Sequence, residues 1–143
     1  MTLPGNIVVG TDFSEQADRA VAYALELAKR LGAHVHLVHG WAVPIESMGE
    51  AALFSGELLK QIEDDAQRAM DKTLLRHREN FSDLTGLVIC GDARDVVSRL
   101  AIEKHAELIV VGTHGRHGFS RALLGSVAES LVRTAPCPVL VAR

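Results

Sequence analysis

The feature that most constrains the fold is the alternation of short apolar runs with longer segments that carry an apolar stripe of helical period. Five runs rich in Val, Ile and Leu have the length of strands buried on both faces of a sheet; they are residues 6–10, 33–41, 84–90, 107–112 and 138–142. Between them, apolar residues recur at helical spacing, which predicts helices over residues 17–31, 55–78, 93–105 and 126–134. This order predicts an α/β chain with a mostly or wholly parallel sheet. Its simplest form is a five-stranded doubly wound sheet with helices on both faces, although the pattern alone leaves the strand order open.

Composition and net charge limit the classes of protein to which the chain can belong. The chain has 143 residues, of which 48% are hydrophobic and 23% charged, and these values favour one globular domain over residues 1–143. A net charge of −3 gives no general basic field for nucleic acid or for an anionic membrane. No apolar run approaches the ~18–20 residues of a membrane span, and no signal peptide is recognisable. We therefore expect a soluble, cytoplasmic protein.

The cysteine and histidine content argues against a disulfide framework and a resident metal. Cys90 and Cys137 are too few for a framework and have no CxxC spacing. We expect both to be small buried hydrophobic side chains in a reducing compartment. Among seven histidines, His34 and His36 share one face of the second predicted strand, but no third ligand has an obvious spacing. We expect no metal ligands among them.

A short repeat suggests which strands meet at the functional edge. Residues 7–11 and 109–113 are the same pentapeptide, IVVGT, and each ends a predicted strand. If these strands are neighbours at the point where the strand order reverses, both Gly-Thr ends line the crevice in which such folds bind ligands. Coincidence between two Val-rich buried strands is the alternative.

The segment from Gly112 to Ser126 is the most informative part of the sequence. It follows a buried strand and opens a helix, and its glycines allow the backbone to approach a ligand closely. Gly125 and Ser126 lie at the helix start, where unpaired amides and the positive dipole end favour an anion, and Arg116 and Arg121 add positive charge. The segment therefore suits a phosphate chain. The alternative is that Ser126 only caps the helix, and neither GxxxxGK[ST] nor GxGxxG occurs.

The spacing Gly112-x2-Gly115-x9-Gly125-Ser126 resembles the nucleotide-binding signature of the universal stress protein family. The resemblance covers the whole chain, including IVVGTDFS, AHVHLVHGW, LIVVGTHG and LLGSVAESLVRTAPCPVLV. It implies a doubly wound sheet with strand order 3-2-1-4-5 and a homodimer formed through the last strand, residues 138–142. Because the glycine motif is complete, the chain resembles the ATP-binding branch of the family.

The resemblance also implies roles for individual residues. The glycines and Ser126 would hold ribose and phosphates, Asp12 would lie near the nucleoside, and the backbone of Val38 would meet the adenine ring. The full set of expected nucleotide-binding residues is Thr11, Asp12, Val38, Gly112, His114, Gly115, Arg116, Gly125, Ser126 and Val127. Asp12 has a second interpretation as a helix N-cap with an acid at the third helical position. Mg²⁺ could accompany ATP by bridging its phosphates, with few protein ligands beyond Asp12.

Other functions of such a fold make different demands on the sequence. A response-regulator receiver needs a phosphoacceptor Asp after the third strand, but that strand ends in Val88-Ile89-Cys90. His114 and His117 lie in the glycine segment, yet no catalytic base is assigned and neither GxSxG nor HExxH occurs. The expected function is an ATP-binding stress-response protein. The alternatives are a dimeric interaction module that binds no nucleotide, and a slow ATPase or autokinase.

Overall fold

The computed structural model describes residues 3–43, 56–114 and 123–143. The strands are β1 (Asn6–Gly10), β2 (His34–Trp41), β3 (Leu84–Cys90), β4 (Leu108–Gly112) and β5 (Val139–Ala142). The helices are α1 (Glu15–Leu31), α2 (Gly56–Arg78), α3 (Ala93–Glu103) and α4 (Ser126–Thr134). The predicted alternation is confirmed, and the predicted bounds of each element lie within two residues of the observed ones.

The five strands form a parallel sheet in the order β3-β2-β1-β4-β5. The chain adds β2 and β3 on one side of β1 and then returns to place β4 and β5 on the other side. The reversal lies between β1 and β4, where Val8 is opposite Ile109. This confirms the strand order that the resemblance implies, and it confirms that the two IVVGT segments are neighbours.

Helices cover both faces of the sheet. Because successive side chains of a strand point to opposite faces, β1 supplies Ile7 and Val9 to one core and Val8 to the other, and all three are fully buried. Helices α1 and α2 complete the first core, whereas α3 and α4 complete the second. Burial on both faces explains why the strands are continuous apolar runs in the sequence.

Two expectations from composition can be compared with this structure. Cys90 and Cys137 lie near opposite edges of the sheet, and both are free thiols. Cys90 is exposed, so the expectation that both cysteines are buried is wrong, because Cys90 is the last residue of an edge strand. Cys137 is partly buried, and burial raises the pKa of its thiol. Among the helices of the described ranges, none is both long and apolar enough to cross a membrane.

Candidate functional site

A cavity of about 390 Å³ opens at the carboxyl edge of the sheet, at the reversal between β1 and β4. This is the place where open α/β sheets bind ligands, and the volume lies in the range of small-molecule sites. The cavity wall includes eight of the ten residues expected to bind nucleotide, namely Thr11, Asp12, Val38, Gly112, His114, Gly125, Ser126 and Val127. The other two, Gly115 and Arg116, lie outside the described residues.

Gly10 and Thr113 also lie in the cavity wall, so both Gly-Thr ends line the cavity, as the repeat predicts. The remaining residues of the wall were not predicted. They are Ala17, His39, Gly40, Ala93, Val97, Val111 and Ala128. Ala93 and Val97 come from α3, and only the packing of that helix against β1 and β2 brings them to the cavity.

The turn between β1 and α1 places Asp12 at the cavity. Ser14 is the N-cap of α1, because its hydroxyl accepts from the amide of Ala17 at 3.2 Å. Asp12 instead accepts the amide of Ser14 on its Oδ1 atom at 2.9 Å. The interpretation of Asp12 as the N-cap is therefore wrong, because the turn uses two more residues before the helix begins. The carboxylate braces the turn and lies in the wall of the cavity.

At this edge the starts of α1, α3 and α4 differ from one another. Ser14 caps α1, and Asp92 caps α3 by accepting the amide of Arg94 at 2.9 Å. The Arg94 side chain, hydrogen-bonded to Asp92, lowers the pKa of that carboxyl to about 2. By contrast, α4 begins after Gly125, and no side chain of the described residues caps it. The interpretation of Ser126 as a capping residue is wrong, because Ser126 is already the first helical residue, and the positive end of α4 opens on the cavity.

The end of β4 is tied to this helix start by Thr113 and His114. The amide of Gly125 donates to the Thr113 carbonyl at 2.6 Å. The Nδ1 atom of His114 lies 3.1 Å from the Thr113 hydroxyl. The other ring nitrogen, Nε2, is buried and has no hydrogen-bond partner in the described part of the chain. Because a buried polar atom without a partner is costly, a ligand in the cavity is one way to satisfy it.

The end of β2 forms the wall on the other side. The carbonyl of Val38 accepts the Thr11 amide at 2.9 Å, so that carbonyl is already used within the protein. Backbone groups of alternate residues point the same way, so the polar groups of Gly40 are directed to the same side as those of Val38, past the last residue of β1. A Cβ atom on Gly40 would lie 2.9 Å from the Cα of Ala93. A glycine is therefore needed for α3 to begin this close to β2.

A second group of polar side chains lies at the opposite, amino edge of the sheet. His34 Nε2 and His36 Nδ1 each lie 3.1 Å from the Thr85 hydroxyl, and His36 Nε2 lies 3.0 Å from the Asn6 side-chain oxygen. Burial, followed by the charges of His34 and Lys104, lowers the pKa of His36 to about 4. Neutral His36 therefore donates to Asn6 and accepts from Thr85, and the Thr85 oxygen accepts from His34. Within the described residues no three His, Cys, Asp or Glu side chains gather as a metal site requires.

Comparisons with known sequences give a consistent result. Residues 4–143 match the family model described as the Universal stress protein family. A universal stress protein of Methanocaldococcus jannaschii is 33% identical over 139 residues, covering 96% of this chain and 81% of that protein. A universal stress protein of Mycobacterium tuberculosis is also 33% identical, over 140 residues, but the match covers only 45% of its length. The chain thus spans less than half of this longer mycobacterial relative.

Solved structures agree with the sequence comparisons. The universal stress protein UspA from Lactobacillus plantarum has a TM-score of 0.84 at 24% identity, covering 100% of this chain and 99% of that one. A universal stress protein in complex with cAMP has a TM-score of 0.65 at 25% identity and 99% coverage of both chains. The universal stress protein from Archaeoglobus fulgidus in complex with dAMP has a TM-score of 0.67 at 22% identity, covering 99% and 100%. The structural likenesses show a shared fold. The family model and the Methanocaldococcus relative show that the chain belongs to the universal stress protein family.

Proposed function

We propose that this protein binds an adenine nucleotide, with ATP as the expected ligand, and acts as a nucleotide-dependent regulatory protein in a stress response. The observation that carries the proposal is the difference between the helix starts at the carboxyl edge. Ser14 and Asp92 cap the starts of α1 and α3, whereas α4 begins at the cavity with no side-chain cap among the residues that the structure describes. An open helix start presents unpaired amides and a positive dipole end, which favour a phosphate group.

In this proposal the phosphates lie against the start of α4. The amides of Ser126 and Val127 would donate to phosphate oxygens, and the Ser126 hydroxyl would add a further donor. The buried Nε2 atom of His114 supports the same arrangement, because a phosphate oxygen would give it the hydrogen bond that the described residues do not. Gly115 and Arg116, assigned to the phosphates by family resemblance, stay predictions.

The nucleoside would lie toward β1 and β2. Val38, Val97 and Val111 form an apolar wall that suits a planar base. The backbone of Gly40, directed past the end of β1, is better placed than that of Val38 to meet the polar edge of the base, because the Val38 carbonyl already accepts from the protein. Asp12 supplies a carboxylate for the ribose hydroxyls. The cAMP and dAMP ligands of the two solved relatives both contain an adenine base and a phosphate, which supports this ligand class.

The cavity wall limits how the protein could bind Mg²⁺, and it contains a glycine, Gly112, that has a packing role. Asp12 is the only carboxylate in the described part of the cavity wall, so Mg²⁺ would be held mainly by the ATP phosphates, with at most this protein carboxylate. A Cβ atom on Gly112 would lie 3.3 Å from the Gln16 carbonyl. The role that we assign to Gly112 is therefore to leave room for α1 to pack close to the cavity. This packing brings Asp12 near the phosphate site.

The proposal includes a homodimer formed through β5 in the cytoplasm. β5 is an edge strand of half-buried apolar residues, and such edges are normally covered. The carbonyls of Pro138 and Ala142 face β4, so the amides of Val139 and Val141 point away from β4, the direction in which a second copy would pair. Replacing Val141 with proline removes one outward amide without disturbing the β4 ladder. Light scattering should give a dimer for the wild type and a monomer for this variant, and a monomeric wild type would contradict the dimer.

Calorimetric titration of nucleotide-stripped protein with ATP, ADP and AMP tests the binding proposal. We expect saturable binding, and we expect Asp12→Asn to weaken it by roughly tenfold through loss of one charge-assisted hydrogen bond. Asn keeps an oxygen that can accept the Ser14 amide, so the turn should survive.

Asp92→Asn is the matched control, because Asp92 also follows a strand at this edge and braces a helix start, yet is not part of the cavity wall. Its affinity for ATP should equal that of the wild type. A folded wild-type protein that binds none of the three nucleotides would overturn the proposal and favour an interaction module. Steady-state release of phosphate from bound ATP would favour the slow ATPase instead.

A further inference from the structure

The turn that carries Asp12 is held in a strained conformation. Phe13 has a φ of 63°, a left-handed conformation that bulky side chains rarely adopt. Such a conformation persists only where surrounding contacts impose it. Two of these contacts lie within the turn, where the Thr11 hydroxyl accepts the Phe13 amide at 3.0 Å and Asp12 accepts the Ser14 amide at 2.9 Å.

The other contacts come from β2. The Thr11 amide donates to the Val38 carbonyl at 2.9 Å, and the Thr11 carbonyl lies 2.8 Å from His39 Nδ1. A carbonyl oxygen only accepts, so His39 Nδ1 carries a proton. The ring of His39 also packs against the ring of Phe13, with centroids 4.6 Å apart and an interplanar angle of 42°. His39 therefore contacts both the residue before Asp12 and the residue after it.

We infer that His39 is a positioning residue of the nucleotide site: it holds the Thr11 carbonyl through Nδ1 and the Phe13 ring through its face, and so fixes the direction of the Asp12 carboxylate. The inference rests on the proposed nucleotide binding. His39 also lies in the cavity wall beside Gly40, so a change in the turn alters the cavity directly. Without His39, the strained Phe13 conformation loses its support from β2, and the turn relaxes away from the ligand.

Three substitutions separate positioning from simple packing. His39→Asn keeps an N–H donor near the position of Nδ1, His39→Gln moves the donor outward to the position of Nε2, and His39→Leu removes it. We expect ATP affinity to fall by roughly tenfold in the Gln and Leu variants, which lose the hydrogen bond to Thr11. The Asn variant keeps that bond and loses only the ring contact with Phe13, so its affinity should stay within about threefold of the wild type. Thermal unfolding of each variant identifies any that fails to fold.

A second measurement needs neither substitution nor nucleotide. Nitrogen chemical shifts of the imidazole in the wild-type protein report which ring nitrogen carries the proton, and we expect Nδ1 to be protonated. An unprotonated Nδ1 would overturn the inference, and so would Gln and Leu variants that fold and bind ATP within threefold of the wild type. A wild type that binds no adenine nucleotide would overturn the proposed function as well, so the two failures are distinct.

Discussion

The two edges of the sheet carry similar polar side chains, but these side chains differ in how fully they are hydrogen-bonded. At the amino edge, His34, Thr85, His36 and Asn6 form a chain in which each group is hydrogen-bonded to the next. At the carboxyl edge, by contrast, the described residues give no partner to a buried nitrogen of His114 and no side-chain cap to α4.

This difference separates a structural polar cluster from a candidate binding site. A polar network whose members satisfy one another stabilises the fold and leaves little capacity for a ligand. A buried hydrogen-bonding group without a partner lowers the stability of the free protein. Where such a group lies beside a cavity, a bound ligand can offset that loss. The number of histidines does not distinguish the two edges. The carboxyl edge differs because the nitrogen that has no partner in the described part of the chain, on His114, belongs to the wall of the cavity of about 390 Å³.

The largest expected effect is a loss of free energy of unfolding when His36 is protonated and the amino-edge network breaks. Burial lowers the pKa of His36 in the folded state from its ordinary value of 6.5 to about 4, so the folded state favours the neutral ring. The stabilisation that depends on neutral His36 is complete above pH 6.5 and is lost as the pH falls from 6.5 toward 4. We expect this residue alone to lower the free energy of unfolding by roughly 2–3 kcal/mol across that window.

Urea unfolding at several pH values measures this effect, with His36→Asn as the comparison because its side chain does not titrate. The wild type should lose more stability than the variant between pH 6.5 and 4. Equal pH dependence in the two proteins would contradict the assigned role of His36. ATP affinity of the variant at pH 7 should be unchanged, because the network lies at the other edge.

The next prediction concerns the start of α4, where an added side-chain cap should change both stability and ATP affinity. Gly125 has a φ of −61° and a ψ of 153°, which other residues adopt without strain. Gly125→Asp should cap α4 and raise the free energy of unfolding by a few tenths of a kcal/mol. Its carboxylate would occupy the phosphate position and repel the ligand, so ATP affinity should fall by roughly a hundredfold. Chemical unfolding and calorimetry test the two effects, and a variant that keeps wild-type affinity would show that phosphate does not bind there.

The smallest expected change in ATP affinity is the loss of one hydrogen bond, and it is tested by comparing two similar histidines. His114 and His77 each have a buried Nε2 atom without a partner in the described residues, but His77 lines a smaller groove of about 160 Å³ between α1 and the end of α2. His114→Leu should weaken ATP binding by roughly fivefold to tenfold, as expected for one lost hydrogen bond. His77→Leu should leave the affinity unchanged. Equal effects in calorimetric titrations would remove His114 from the site.

The sequence was sufficient for the elements and for the position of the cavity. Buried strands leave continuous apolar runs and helices leave a stripe, so the elements were predicted to within two residues. The strand order came from family resemblance, because residues such as Val8 and Ile109 carry no mark of being opposite each other. The repeat of IVVGT, however, indicated correctly which strands meet at the cavity.

Details that depend on contacts between distant segments were not predicted. Asp12 and Ser14 are both good capping residues, and only the length of the turn after β1 decides between them. Gly40 and Val38 have the same orientation in β2, so the point where β1 ends determines which backbone faces the cavity. The contact of His39 with Thr11 likewise joins residues 28 positions apart in the chain.

The most direct test is an amide NMR titration of the wild-type protein with ATP, because it reports both edges in one experiment. The account predicts saturable shifts at Gly40, Ser126 and Val127, while the amides of His36 and Thr85 stay unchanged. No saturable shift, or shifts concentrated at the amino edge, would contradict the claim that the carboxyl edge is the nucleotide site.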